Sequence, residues 1–362
     1  MHKYMVSIAT LLIIAWILLP AKAFSLADET LEGRYKLTLL VYGEDEFLVL
    51  DFKPEDSALQ IDVVDAQRFI GPSPKATDIS WKDGELKFTI DSPAMKSDFV
   101  GHLVTEGDQA GQVLGTYKFR DSDYPARLEK SDAEKVGELT RSQLSTDLVT
   151  ARRESDAHAK VEKLKELLEK HSGPSLHLVY TELLRAASDV EFAAEEVDQL
   201  LTNWLEDAAR YGDRWLTQAR TKALSALDGQ EAYADLSLKL AQDADASITS
   251  ETPTDQQAVI VAALAKAAEL AGNEKLAAEA MARSEKLEAK LDEEYLASVP
   301  PFEPAEFEGR ASSEHDRAVL LELFTGAQCP PCVAADVAFD AILETYQPSE
   351  VVALQYNLNI PG

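Results

Sequence analysis

AVLLELFTGAQCPPCVAADVAFDAILETY, residues 318–346, decides how the C-terminal part of this 362-residue chain folds. Its first seven residues, Ala318 to Phe324, form an apolar run of the kind that makes a buried strand. Val333 to Tyr346 has a helical period, with Phe339, Ile342, Leu343 and Tyr346 at i, i+3, i+4 and i+7, so these four are predicted to face a core. Val351 to Tyr356 reads as a further strand, which makes the unit strand–loop–helix–strand and predicts a parallel pair joined by a crossover. Between the first strand and the helix stand Cys329 and Cys332, the only two cysteines in the sequence.

A pair spaced by two residues closes almost no loop, so joining it stabilises the fold very little. Chemistry explains it better. A thiolate is the attacking species in thiol–disulfide exchange, and a helix N-terminus stabilises it through unpaired N–H groups and the helix dipole. Cys329 is expected at the cap, exposed to a partner, with Cys332 one turn on and placed to resolve a mixed disulfide. Pro330 and Pro331 suit the first helical turn, where a missing N–H costs little and the fixed φ already fits. A metal site is the rival reading. Structural zinc needs four ligands and only two thiols are present, while His315 lies 14 residues before Cys329 in a polar stretch.

Phe324 through Cys332, with the strand before and the helix after, resembles the thioredoxin-like superfamily, in the manner of exported bacterial thiol–disulfide proteins with a C-terminal thioredoxin-like domain. The resemblance covers Ala318 to Gly362. It implies Cys329 as nucleophile and Cys332 as resolving cysteine, with Gln328, Pro330 and Pro331 in support, no cofactor, and protein thiols and disulfides as partners. Gln328 stands where many members have Trp. Leu323 stands where a buried acid often assists, and strand alternation turns Glu322 to the opposite face. The family's cis-proline loop falls after Gly362, so the chain is expected to be an N-terminal fragment that stops after the first βαβ unit. Copper carriers on the same scaffold pair a CxxxC motif with a distant His, against the CxxC found here.

Upstream, residues 298–317 hold Pro300, Pro301, Pro304 and Gly309 and read as a linker. Residues 131–297 have a helical period. Val161, Leu164 and Leu168 share a face, Glu166 meets Lys170 one turn on, Ser175 is placed to cap a helix after Gly173-Pro174, and Thr254 with Gln257 reads as a capping box. Gly212, Gly229 and Gly272 mark breaks, and Gly173 to Gly212 and Gly229 to Gly272 are both intervals of about 40 residues, which suit TPR-like helical hairpins or a plain bundle. A TPR-like array would offer a surface for a protein partner.

Residues 24–130 alternate as strands. Tyr35, Leu37 and Leu39 are set against Arg34, Lys36 and Thr38; Asp83-Gly84 signals a hairpin, with Leu86, Phe88 and Ile90 behind it. Six to eight short antiparallel strands predict a small barrel or sandwich.

Residues 1–23 have a basic start, an apolar run of about 15 residues and Ala21-Lys22-Ala23, the pattern of a cleaved secretory leader. An uncleaved N-terminal anchor is the alternative. Loss of the leader removes Lys3 and Lys22 and no acid. That leaves 33 basic and 64 acidic residues and takes the net charge from −29 to −31. So acidic a chain repels nucleic acid and anionic lipid, and neither is expected as a partner. Two functions of different class follow: a thiol–disulfide oxidoreductase, or a non-catalytic assembly protein whose thioredoxin-like domain is structural.

Overall fold

The computed structural model describes residues 31–55, 58–119, 122–250, 252–298, 318–326 and 330–357. Residues 1–23, read as a leader, residues 299–317 of the segment read as a linker, and Gln328 and Cys329 lie outside them. The chain divides into two compact units, the first running to Ser247 and the second from Ile248 onward, with Leu270–Gly272 assigned to the first.

The first unit opens with eight antiparallel strands: β1 (Gly33–Leu39), β2 (Asp45–Glu55), β3 (Ala58–Ala66), β4 (Lys75–Lys82), β5 (Glu85–Ser92), β6 (Met95–Leu103), β7 (Val113–Phe119) and β8 (Ser122–Lys130). Their spatial order is β3-β2-β1-β8-β7-β6-β5-β4. Every neighbour pair but one is sequential. The exception, β1 with β8, pairs Tyr35 through Leu39 with Lys130 through Ala126 and rolls the meander into a near-barrel. The seam falls between β3 and β4, so one ring replaces the sandwich alternative.

The ring is filled by its own side chains. Tyr35, Leu37, Leu50, Phe52, Leu86, Phe88, Ile90, Phe99, Tyr117 and Leu128 all belong to one buried cluster. The predicted alternation therefore holds for Leu86, Phe88 and Ile90, and the Asp83-Gly84 hairpin forms with both residues at positive φ, 53° and 78°. Small residues let the wall close. Gly101 faces Gly115 across β6 and β7. A Cβ on Gly115 would lie 2.2 Å from the Val100 carbonyl oxygen and 2.4 Å from the Gly101 Cα. The Phe99 ring lies over Gly101, where an added Cβ would come 2.6 Å from Cζ.

Six helices complete the first unit: α1 (Gln143–Arg152), α2 (Ala157–Lys170), α3 (His177–Ala186), α4 (Ala194–Ala209), α5 (Asp213–Leu227) and α6 (Ala234–Ala246). Ser142 and Asp156 cap α1 and α2 by accepting from the Ser145 and Ala159 amides. Helices pack against the outer wall of the barrel: the Thr116 hydroxyl donates to the Tyr211 carbonyl at 2.8 Å and α5 lies against β8. Thr38, set in alternation with the apolar residues of β1, is buried as they are.

Three local expectations fail for reasons of packing. Leu167 rather than Leu168 is the third buried residue of α2. Ser175 caps nothing, because its hydroxyl donates to the Leu40 carbonyl at 2.8 Å in a contact 135 residues apart in sequence. The Thr254–Gln257 capping box does not form. Thr254 is already inside the helix and donates to Glu294 at 2.8 Å, while the Gln257 amide reaches the Thr252 carbonyl. The Glu166–Lys170 pair does form, at 3.0 Å.

Two helices begin the second unit, α7 (Thr254–Leu270) and α8 (Glu274–Ser298). Gly212, Gly229 and Gly272 end helices at positive φ, as predicted. After them come β9 (Val319–Thr325), α9 (Pro330–Thr345) and β10 (Val351–Asn357). Among the described residues no helix is long and apolar enough to cross a membrane.

Candidate functional site

Strands β9 and β10 pair in parallel, with Val319 opposite Val351 and Thr325 opposite Asn357. Parallel pairing follows from the sequence, because the helix between the strands carries the chain back to the starting end of the sheet. Alternation then sorts the side chains. Thr325 and Gln355 face α9, where both reach Asp336. Leu320, Glu322, Phe324, Val352, Leu354 and Tyr356 have the opposite parity and are exposed. On that face the Tyr356 hydroxyl donates to Glu322 at 3.2 Å and its ring stacks on Phe324 at 4.9 Å.

Helix α9 begins at Pro330, so Pro330 and Pro331 occupy the first two helical positions and Cys332 the third. Both prolines therefore sit where the sequence placed them. Cys332 is half-buried and disulfide-bonded. It lies in the first turn, within reach of the positive end of the helix dipole. Cys329 and Gln328 lie outside the described residues.

Asp336 stands one turn after Cys332, on the same side of α9. The buried Thr325 hydroxyl donates to its Oδ2 at 2.9 Å, and Gln355 Nε2 donates to its Oδ1 at 3.0 Å. One carboxylate thus ties the start of α9 to the ends of both strands. Sequence reasoning looked for an acid on the strand and found Leu323 instead. It missed Asp336, whose signal is an acid at i+4 from Cys332. The helix also departs from its expected face: Phe339 is buried with Ala341, but Leu343 is 51% exposed. A two-stranded sheet is too narrow to cover a stripe that wide.

Among the described residues, no three His, Cys, Asp or Glu side chains converge as metal ligands. Trp204 and Trp215, read as core residues, are buried in α4 and α5. No protein-family model matches the chain, and neither a characterised protein nor a solved structure shows significant similarity to it.

Proposed function

We propose that this chain is an exported thiol–disulfide protein that exchanges disulfides through Cys329 and Cys332. Cys332 in the first turn of a helix that directly follows a parallel strand is the observation that carries the reading. In the reducing direction, the Cys329 thiolate attacks one sulfur of a client disulfide, forms a mixed disulfide and releases the other client sulfur as a thiolate. The Cys332 thiolate then attacks the Cys329 sulfur and expels the second client thiolate. The pair ends oxidised by two electrons and the client reduced by two; the oxidising direction is the reverse.

Two features of α9 favour this chemistry. The dipole and the first-turn N–H groups that remain beyond Pro330 and Pro331, from Cys332 onward, lower the cost of a thiolate. The Thr325–Asp336–Gln355 contacts fix the helix start against the sheet, which keeps Cys332 in place. The strand–helix–strand unit is read as part of a thioredoxin-like domain, and residues 1–23 as an export leader. The helices of the first unit are read as TPR-like hairpins, a reading supported by sequential packing and by contact of α3 with α5.

Alkylation rate against pH, measured after reduction of the disulfide, tests the proposal. A reactive cysteine titrating well below the ordinary value of about 8.5 is the expected result. Cys329→Ser should abolish mixed-disulfide trapping of clients and Cys332→Ser should increase it. Trapping unchanged by either substitution would leave the non-catalytic assembly reading in its place.

A further inference from the structure

A cleft of about 270 Å³ opens in the first unit where the β1–β2 loop, the β6–β7 turn, β8 and the α2–α3 connection meet. Arg127 of β8 lines it. On one side Glu129, from the same strand, holds the guanidinium: Nη2 donates to Oε1 at 3.4 Å, and Nε lies 3.2 Å from Oε2 without the alignment of a hydrogen bond. On the other side Nη1 donates to Glu44 Oε1 at 3.0 Å. These two carboxylates are not equivalent. The Arg127 side chain is 15% exposed, and Glu129 is largely covered, whereas Glu44 sits on the β1–β2 loop with its side chain 66% exposed.

An exposed ion pair of this kind is worth little, because both water and salt compete for it. The half-buried guanidinium behind it has lost much of its own hydration and needs an anion. Further polar groups line the cleft. His171 Nε2 is buried without a hydrogen bond, with Asp147 Oδ2 3.6 Å away. Tyr211 also lines the cleft, and burial pushes its phenol up to about 12, so at neutral pH it remains a proton donor.

We propose that this cleft binds a carboxylate, which takes the place of Glu44 on the Arg127 guanidinium. Arg presents a planar fork that a carboxylate fits with two parallel hydrogen bonds, and a ligand held by Tyr211 and His171 as well gains what Glu44 alone lacks. The volume lies near the lower limit of small-molecule pockets, so it admits a small acid or one acidic side chain and excludes a folded partner. Distant acids of the chain are screened beyond about 10 Å at ordinary salt, so the opposing charges are the local ones, Glu44, Glu129 and Asp147, which keep the affinity low.

Isothermal titration calorimetry of the full chain tests this with three probes: acetate, free glutamate, and a short peptide with one central Glu and both ends capped. Saturable binding in the millimolar range is expected. Glu44→Gln removes the internal competitor and should tighten it several-fold; Arg127→Gln should weaken it by about tenfold or more. Binding of the free acids with a silent peptide assigns a small acid as ligand, and tighter peptide binding assigns an acidic protein segment. Either carries the proposal. Absence of saturable binding in both the wild type and Glu44→Gln overturns it, as does binding unaffected by Arg127→Gln. Should Arg127→Gln fail to fold, Glu44→Gln decides alone, because its site is exposed: affinity unchanged or weaker overturns the proposal. Tyr211→Phe, which removes one hydroxyl, should weaken binding without changing the fold.

Discussion

The eight-stranded sheet and the two-stranded sheet meet the same two difficulties, unpaired edges and apolar faces, to opposite degrees. The large sheet curls until β1 meets β8, leaves only the β3–β4 seam unladdered, and packs its inner face with its own aromatic and aliphatic side chains. Helices cover part of its outer wall. In the small sheet, α9 covers one face, while the other exposes Leu320, Phe324, Val352, Leu354 and Tyr356. Parallel strands are normally buried on both faces. The first arrangement spends its apolar residues on stability. The second leaves them open to solvent and carries a half-buried cysteine in the first turn of its helix. On the proposed function, rigidity and chemistry belong to different parts of the chain.

The sharpest way to break this comparison is to truncate the same residue type in each sheet. Phe88 is 1% exposed and stacks on Phe99 at 5.1 Å. Phe88→Ala should cost about 3–5 kcal/mol, the usual penalty for an aromatic cavity in a close-packed core. Urea unfolding followed by tryptophan fluorescence reads this out cleanly, because the described tryptophans, Trp81, Trp204 and Trp215, all lie in the first unit. A loss below about 1 kcal/mol would mean that the barrel interior is loosely filled and can collapse around the gap.

Acid sharpens the contrast next. His177 is buried, its Nδ1 donates to the Pro174 carbonyl at 2.9 Å, and its ring meets Trp215 edge-on at 5.2 Å. Burial is the main cause that pushes its pKa down to about 4, with the Lys222 charge adding to it and the Pro174 hydrogen bond opposing it. The unfolded chain titrates that ring near 6.5. Between these values the unfolded state binds the extra proton, so stability is full above about 6.5 and falls as pH drops toward 4. The loss should reach about 3 kcal/mol. His177→Phe should flatten that part of the profile. A slope unchanged by the substitution would assign the acid sensitivity to other groups.

Charge burial in the helices gives a comparable effect. Glu182 of α3 is buried among Lys160 at 2.9 Å, Arg152 at 3.1 Å and Arg185 at 3.6 Å. Burial raises the cost of its charge, but the Lys160 hydrogen bond and the three cations outweigh that and hold the carboxyl below its ordinary value. Glu182→Gln leaves Lys160 and Arg152 without their shared anion. It should cost about 2–3 kcal/mol at pH 7, discounted because the cations are partly exposed. The same substitution should cost less as pH falls below about 4.5, where the unfolded carboxyl takes up a proton that the folded one resists.

What the sequence revealed depended on the distance over which each contact acts. Alternation in residues 85–90 and the Asp83-Gly84 turn are local signals, and both are realised. So is the strand–helix–strand order around Cys332, since an apolar run, two prolines and a helical period lie within thirty residues. Closure of the ring was not legible, because β1 and β8 pair across some 90 residues and no pattern in either announces the other. Ser175 and Thr254 look like caps locally, yet distant carbonyl and carboxylate groups take up their hydroxyls. Leu343 matches the apolar stripe of α9 but finds no sheet wide enough to cover it. Asp336 was missed for a related reason: its partners, Thr325 and Gln355, meet only once the two strands pair.

The smallest effect is the counterpart of the first. Phe324 is 59% exposed, and its described ring partner is Tyr356. Phe324→Ala gives up that stacking contact, worth about 0.5–1.5 kcal/mol when buried and less here, and it also removes apolar surface from water, which offsets part of the loss. Stability should therefore change by less than about 1 kcal/mol, within the range of ordinary surface substitutions. Tryptophan fluorescence is blind to this unit, so hydrogen exchange at the amides of β9 and β10 is the suitable measurement. If exchange there accelerates as strongly as barrel exchange does in Phe88→Ala, then Phe324 is a core residue whose cover comes from a part of the protein outside the described residues, and the two sheets differ in what covers them rather than in design.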